Sequence, residues 1–219
     1  MVTLVSCTAP LVQKDSKRLT PEEFIVYIAR VSNPKNQFNI ETSHRLIRYL
    51  IKHNHWSPFE HVSLTFEIKT SRAIAAQILR HRSFTFQEFS QRYASATELE
   101  NIEWRAQGKT NRQVGDEEID VPVYLKIKVK KFQNKILELY NELINQGVAR
   151  ECARMILPLS TSTTLYMTGN LRSWIHYLAL RNTQDTQKEH RVLARSIQEV
   201  LQKEFPNVFL AMEPDEVYT

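Results

Sequence analysis

Only four glycines, Gly108, Gly115, Gly147 and Gly169, occur in the 219 residues of this chain. No GxGxxG and no GxxxxGK[ST] is present, so the glycine-rich turns that let a backbone cradle a pyrophosphate at a helix start are missing. If the protein binds a nucleotide, side chains must hold the phosphates, and arginine is the residue to follow. Charge points the same way. Lys and Arg number 29 against 24 Asp and Glu, a formal +5 at pH 7, which suits anionic ligands from a nucleotide to DNA.

The length is slightly above the ~100–200 residues usual for one domain, and a single domain over residues 1–219 is expected. With 42% apolar and 24% charged residues the chain should fold. Cys7 and Cys152 are distant and in no CxxC spacing, so neither a disulfide framework nor a zinc ribbon is indicated; Cys152 reads as a small buried thiol and the compartment as cytoplasmic. No run approaches the ~18 apolar residues of a membrane span. The apolar start lacks a positive n-region and reads as a strand, with Val2, Leu4 and Ser6 alternating against Thr3, Val5 and Cys7.

Thr20-Pro21-Glu22-Glu23 predicts a capped helix that runs to about Ser32, before Asn33-Pro34. A second helix is expected from Thr42 to His53, and a half-buried strand over 61–69, where Val62, Leu64, Phe66 and Ile68 alternate with polar residues. Ser71 can cap a helix SRAIAAQILRHR, whose end passes into a loop. Residues 98–120 are polar, hold two glycines and read as an irregular, mobile surface excursion. A long helix from Val123 to Gln146 stops at Gly147. A short helix VARECARMIL, a β-branched strand LSTSTTLYM and helices over 171–181 and 186–205 complete the pattern. Strands set singly among helices give an α+β or α/β class.

Four stretches carry candidate chemistry. In RHRSFTFQEFSQRY, residues 80–93, basic residues at a helix end would suit the helix dipole alone. Glu88, Ser90 and Arg92 add more, and the interleaved aromatics can pin the loop to the core so that its polar side chains converge. In HNHWSPFEH, His53, His55, Glu60 and His61 match no metal spacing and read rather as a polar network or cofactor contact. In RECARMILPLS, Glu151 and Arg154 could form a helical pair, and Arg154 is the residue of interest. In NLRSWIHYLALR, Arg172 and His176 share one flank of a helical wheel, and Arg181 falls about 180° from Arg172 among aromatics, where it should meet a carboxylate, a phosphate or an electron-rich ring.

Taken together, Arg80-His81-Arg82 followed by seven residues and Ser90, Glu88 and Arg92 in their places, the HxSPFEH-like residues 55–61, RECARMILPLS and NLRSWIHYLALR resemble the flavin-dependent thymidylate synthases. The resemblance implies an α+β fold with a central, mostly antiparallel sheet flanked by helices, one of them long. It implies methylation of dUMP to dTMP, with methylenetetrahydrofolate as one-carbon donor and FAD, reduced by NADPH, as hydride donor. By position, His55, Ser57, Arg80, His81, Arg82, Gln87, Glu88, Asn170, Arg172 and His176 look like flavin contacts. Gln77, Arg80, Glu88, Ser90, Gln91, Arg92, Arg154 and Arg181 look like dUMP contacts. Gln87 and His176 stand where relatives often have Asn; both still form hydrogen bonds.

Arg181 and Ser90 are the catalytic candidates. Arg181 would stabilise charge developing on the uracil ring. Ser90 reads as a substrate contact, because a serine nucleophile needs a base oriented by a third group and His81 has none in view. The resemblance further implies a homotetramer with active sites shared between subunits, and neither metal, nucleic acid nor membrane as partner. Two readings from other classes stand beside it. Arginines interleaved with aromatics could form a stacking platform for nucleic acid, and the histidines could serve a metal-dependent hydrolase.

Overall fold

The computed structural model describes residues 1–96, 98–115 and 117–213. Its fold is α+β. Strands β1 (Val2–Cys7), β4 (Ser63–Ser71), β6 (Ser162–Asn170) and β5 (Thr85–Glu88) form one sheet in the order β1-β4-β6-β5, every pairing antiparallel. A small hairpin, β2 (Gln13–Lys14) with β3 (Lys17–Arg18), follows the first strand.

Register explains which face is apolar. Leu64, Phe66, Ile68 and Thr70 of β4 lie opposite Gly169, Met167, Leu165 and Thr163 of β6, and a period of two puts this whole set on one face. The face is covered by α1 (Pro21–Ala29), α2 (Ser43–Lys52), α3 (Arg72–Ile78), α6 (Leu171–Arg181), α7 (Lys188–Glu204) and α8 (Pro206–Met212), which join the same apolar cluster. The opposite face is polar: Thr65 and Thr168 share a hydrogen bond of 2.9 Å, and the Tyr166 hydroxyl donates to Glu67 at 2.8 Å.

α1 begins with the expected box, Thr20 Oγ1 accepting from Glu23 N at 3.2 Å and Glu23 Oε2 accepting from Thr20 N at 2.7 Å. The long helix α4 runs Val123–Asn145 and stops where Gly147 takes a φ of +83°. It packs beside α5 (Arg150–Ala153) and the turn Arg154–Ile156, with only Tyr140 buried, while Val123, Tyr124, Ile127, Phe132 and Leu139 remain exposed. Among the described residues no helix is long and apolar enough to cross a membrane.

Several expectations are corrected. The loop after α3 contains β5, an edge strand, and α3 itself stops at Ile78 without a side-chain cap from Ser71. A bulge between Leu4 and Ser6 resets the alternation of β1, so Cys7, not Ser6, turns inward. Cys152 is exposed rather than buried. Of the aromatics thought to pin the loop, Phe84 is buried and Phe86 half-buried, but Phe89 is exposed and Tyr93 is 88% exposed. Beyond residue 205, where the last expected helix ends, Pro206 opens a further helix, α8, whose start is capped by buried Glu22: Val208 N donates to Oε1 at 2.9 Å and Asn207 Nδ2 to Oε2 at 2.7 Å.

Phe84 fixes how the edge strand meets the core. Its ring lies 4.7 Å from Trp174 and 6.0 Å from Tyr177, and a Cβ at Gly169 would stand 2.4 Å from its Cδ1. A buried ring wedged against Trp174 cannot yield as a flexible tip would. Gly169→Ala is therefore expected to lower stability by about 1–3 kcal/mol, read as a reduced urea midpoint at unchanged m-value.

Candidate active site

Two groups of functional candidates lie at opposite ends of α6, about 14 Å apart along its axis from Arg172 to Arg181 at 1.5 Å per residue. At the N-terminal end Asn170 caps the helix, its Oδ1 accepting from Ser173 N at 2.9 Å. Arg172 forms an ion pair with Glu60, and the His176 ring meets Trp56 edge-on at 5.2 Å. Burial, then the Arg172 charge, holds His176 below its ordinary pKa. His55 stands near Tyr49, ring centroids 5.9 Å apart, and Ser57 is exposed at the head of the 57–61 turn. No cluster of three or more His, Cys, Asp or Glu suited to a metal ion occurs among the described residues.

At the C-terminal end Arg181 Nε donates to His81 Nε2 at 2.8 Å. Arg181, Arg80 and Gln77 line one cavity of about 190 Å³ with Asp185, Thr186 and Gln187, and Gln113 of the irregular segment adds to its wall. That volume is below the ~300–1,000 Å³ usual for ligand pockets. A second hollow of about 430 Å³, containing Trp104 and Arg105, shares Gln113 and Gln187 with it. A hollow of about 380 Å³ between α6, α7 and α8 is lined by residues such as Leu178 and Phe209, and by none of the candidates.

Arg80, Arg82 and Arg92 are exposed and Arg154 is half-buried; none makes an ion pair or side-chain hydrogen bond among the described residues. The alternative reading of Arg154, a helical pair with Glu151, is thus not realised: the helix ends at Ala153 and Arg154 opens a tighter turn. Gln91 is buried, and its Nε2 has no partner among the described residues. Glu88 is engaged through one oxygen, Oε1, which accepts from Arg72 Nη1 at 2.5 Å and Thr163 Oγ1 at 2.9 Å. Gln87 and Ser90 are exposed beside it. Because His81 Nε2 already accepts from Arg181, that nitrogen is not free to take a proton from Ser90, which favours a binding role for the serine. Of the aromatics a nucleic-acid stacking platform would use, Phe84 and Phe86 turn inward while Phe89 and Tyr93 stay exposed.

Behind the cavity lies a polar chain that sequence reading missed. The Tyr177 hydroxyl meets His190 Nε2 at 3.0 Å, His190 Nδ1 meets Gln77 Oε1 at 3.3 Å, and Gln77 Nε2 donates to Gln187 Oε1 at 2.7 Å. Gln187 Nε2 donates to Glu189 Oε2 at 3.0 Å, and Arg105 Nη2 donates to both Glu189 oxygens at 2.6 and 2.8 Å. Burial pushes His81 down to about 4, aided by the Arg181 charge, and His190 down to about 3, aided by Arg181 and His81. Burial likewise raises the Tyr177 phenol, which keeps its proton. At Glu189 burial works upward but the Arg105 bonds outweigh it, and the carboxylate sits below its ordinary value. One signal for this chain was present in the sequence. His190 falls on the apolar stripe of α7 with Leu193, Ala194, Ile197 and Leu201, and an imidazole on a buried face requires partners.

Residues 13–207 match the sequence profile of the family described as thymidylate synthase complementing protein. A probable flavin-dependent thymidylate synthase of Paramecium bursaria Chlorella virus 1 is 48% identical over 213 residues, covering 96% of this chain and 97% of that protein. A flavin-dependent thymidylate synthase of Synechocystis sp. is 47% identical over 220 residues, covering 97% and 99%. Among solved structures, the UMP/dUMP methylase PolB of Streptomyces cacaoi, bound with 5-Br dUMP, superposes with a TM-score of 0.77 at 28% identity, covering 96% of this chain and 93% of that one.

Proposed function

The chain belongs to the thymidylate synthase complementing protein family, the flavin-dependent thymidylate synthases, and from that membership we propose that it methylates dUMP at C5 to give dTMP, methylenetetrahydrofolate supplying the carbon and NADPH reducing the flavin. The observation that carries the reading is the donor-rich cavity at the C-terminal end of α6. Arg181 commits one of its five N–H groups to His81, and the rest of its guanidinium lines the cavity with Arg80 and Gln77.

The residues fit a flavin dinucleotide on what they leave unpaired. Exposed Arg80 and Arg82 lack anionic partners among the described residues. With no glycine loop, guanidinium forks are the groups suited to a pyrophosphate. Reduced FAD, when bound, supplies the hydride.

The chain's own part is electrostatic. Arg181 remains charged throughout and can stabilise negative charge on a uracil oxygen as C5 becomes nucleophilic. His81 stays neutral, with Nε2 as acceptor and Nδ1 carrying the hydrogen, and so holds Arg181 by its Nε–H. Glu88, bound through Oε1, leaves Oε2 for a ribose hydroxyl, while Ser90, Gln91, Arg92 and Arg154 offer donors for the nucleotide phosphate. Asn170, Arg172, His176, His55 and Ser57 are the residues we assign to the flavin on the other flank, with Gln87, on β5 beside Glu88, and the Arg80-to-Arg82 stretch completing its contacts.

Two observations support a homotetramer with shared sites: the exposed apolar side chains of α4, and a cavity too small for a nucleotide lying ~14 Å from the flavin flank. We read the chain as one domain acting in the cytoplasm.

The test is direct. Purified protein supplied with FAD, dUMP, NADPH and methylenetetrahydrofolate is expected to form dTMP by mass spectrometry, and to lose that activity when FAD is omitted from flavin-free protein. Absence of both flavin absorbance and dTMP would overturn the reading.

A further inference from the structure

The hydrogen bonds behind the cavity all run in one direction, and a single carboxylate sets it. An ionised carboxylate only accepts. Since Gln187 meets Glu189, its nitrogen must face the carboxylate and its oxygen must face Gln77. Gln77 must then turn its nitrogen to Gln187 and its oxygen to His190, whose Nδ1 therefore carries the hydrogen and whose Nε2 accepts from Tyr177. Two carboxamides and an imidazole could each face either way in isolation. Here each is oriented by its neighbour, back to Glu189 and the two-bonded grip of Arg105 upon it.

We propose that Glu189, clamped by Arg105, is a positioning residue for the nucleotide, holding the Gln77 carboxamide with its nitrogen toward the cavity wall and its oxygen turned away to buried His190. The inference rests on reading this cavity as the dUMP site. Gln77 then joins Arg80 and Arg181 as a third donor facing the oxygens of the ligand. Asp185, the one carboxylate among the described lining residues, is engaged by Asn111 Nδ2 at 3.1 Å. In the reversed orientation Gln77 would set a carbonyl oxygen against an anionic ligand, a repulsive contact. Arg105 comes from the irregular 98–120 segment, so that excursion is tied to the site instead of merely covering it.

Glu189→Gln is nearly isosteric and removes the acceptor-only group, which lets Gln187 and Gln77 turn. Its expected signature is a KM for dUMP raised about tenfold, the scale of one misdirected hydrogen bond, with kcat and flavin content within about twofold of wild type. The dissociation constant of dUMP, titrated calorimetrically into the flavin-loaded protein, should rise by the same factor. Because Glu189 acts through Gln77, the double variant Gln77→Met with Glu189→Gln should bind dUMP no worse than Gln77→Met alone.

Unchanged KM and dissociation constant in Glu189→Gln would overturn the proposal, as would additive losses in the double variant. Should Glu189→Gln fail to fold, Arg105→Lys reads the same step. It keeps a cation beside Glu189 without the fork, and a KM rise of about threefold is expected, roughly half of one net hydrogen bond; no rise overturns the proposal. Wild-type protein that binds no dUMP overturns both this inference and the assigned function, whereas wild-type protein that binds dUMP no better than Glu189→Gln overturns the inference alone.

Discussion

Arg181→Ala is expected to lower kcat for dTMP formation by roughly a hundredfold to a thousandfold, the cost of removing one preorganised donor from a developing negative charge. Flavin occupancy should fall far less than turnover, because Arg172, paired with Glu60, and His176, against Trp56, lie at the other end of α6, and of the assigned flavin contacts Arg80 and His81 are the ones beside Arg181. The two arginines sit on one helix but serve different partners, and the variant separates them. Arg181→Lys should recover only a small part of the rate: an ammonium keeps the charge but loses both the planar fork and the Nε–H bond to His81. Single-turnover measurement of dTMP, with flavin-to-protein ratio from the visible spectrum, checks both. Parallel loss of flavin and turnover would show that Arg181 mainly supports cofactor binding, and a kcat within tenfold of wild type would show that it is no electrostatic catalyst.

What sequence reading reached was local. The Thr20-to-Glu23 box, the alternation in β4 and the stop at Gly147 each depend on a few neighbouring residues, and each appears as expected. β5 was hidden because TFQE is a four-residue edge strand with little alternation of its own, stabilised by pairing with β6 about eighty residues away. α8 was hidden for a related reason, since its N-terminus is completed by Glu22, 186 positions earlier. The site shows the same division. Motif order brought Gln77, Arg80, His81 and Arg181 into view, and the structure gathers them at one end of α6. Glu189 and Arg105 belong to no motif. Their relevance comes from a chain of bonds spanning 110 positions between Gln77 and Gln187 and 84 between Arg105 and Glu189, which no spacing rule could indicate.

Mild acid is expected to destabilise the fold steeply, and the cause lies in the same network. His81 and His190 are held down to about 4 and about 3 when folded, against about 6.5 in an unfolded chain. Above pH 6.5 both states are neutral and the stabilisation is fully present. As pH falls below 6.5 the unfolded chain takes up protons that the folded chain refuses, so stability drops by up to about 1.4 kcal/mol per pH unit for each histidine, continuing until the folded-state values are reached. By pH 5 the two together could remove up to about 4 kcal/mol, a large part of the ~5–15 kcal/mol that holds a typical domain folded, with half-buried His81 giving the smaller share. Glu22 and Glu100, both raised chiefly by burial, act with the opposite sign, gaining stability as they protonate at lower pH. Urea midpoints at pH 7, 6 and 5 measure the slope, and two variants assign it. His190→Gln should remove the larger share. Arg181→Ala should flatten the profile as well, because the Arg181 charge contributes to the depression of both histidines. A midpoint that stays level from pH 7 to 5 would mean that protons reach His190 without unfolding, and that the direction of bonding behind the cavity is not locked in the native state; a slope undiminished in His190→Gln would place its source in groups other than His190.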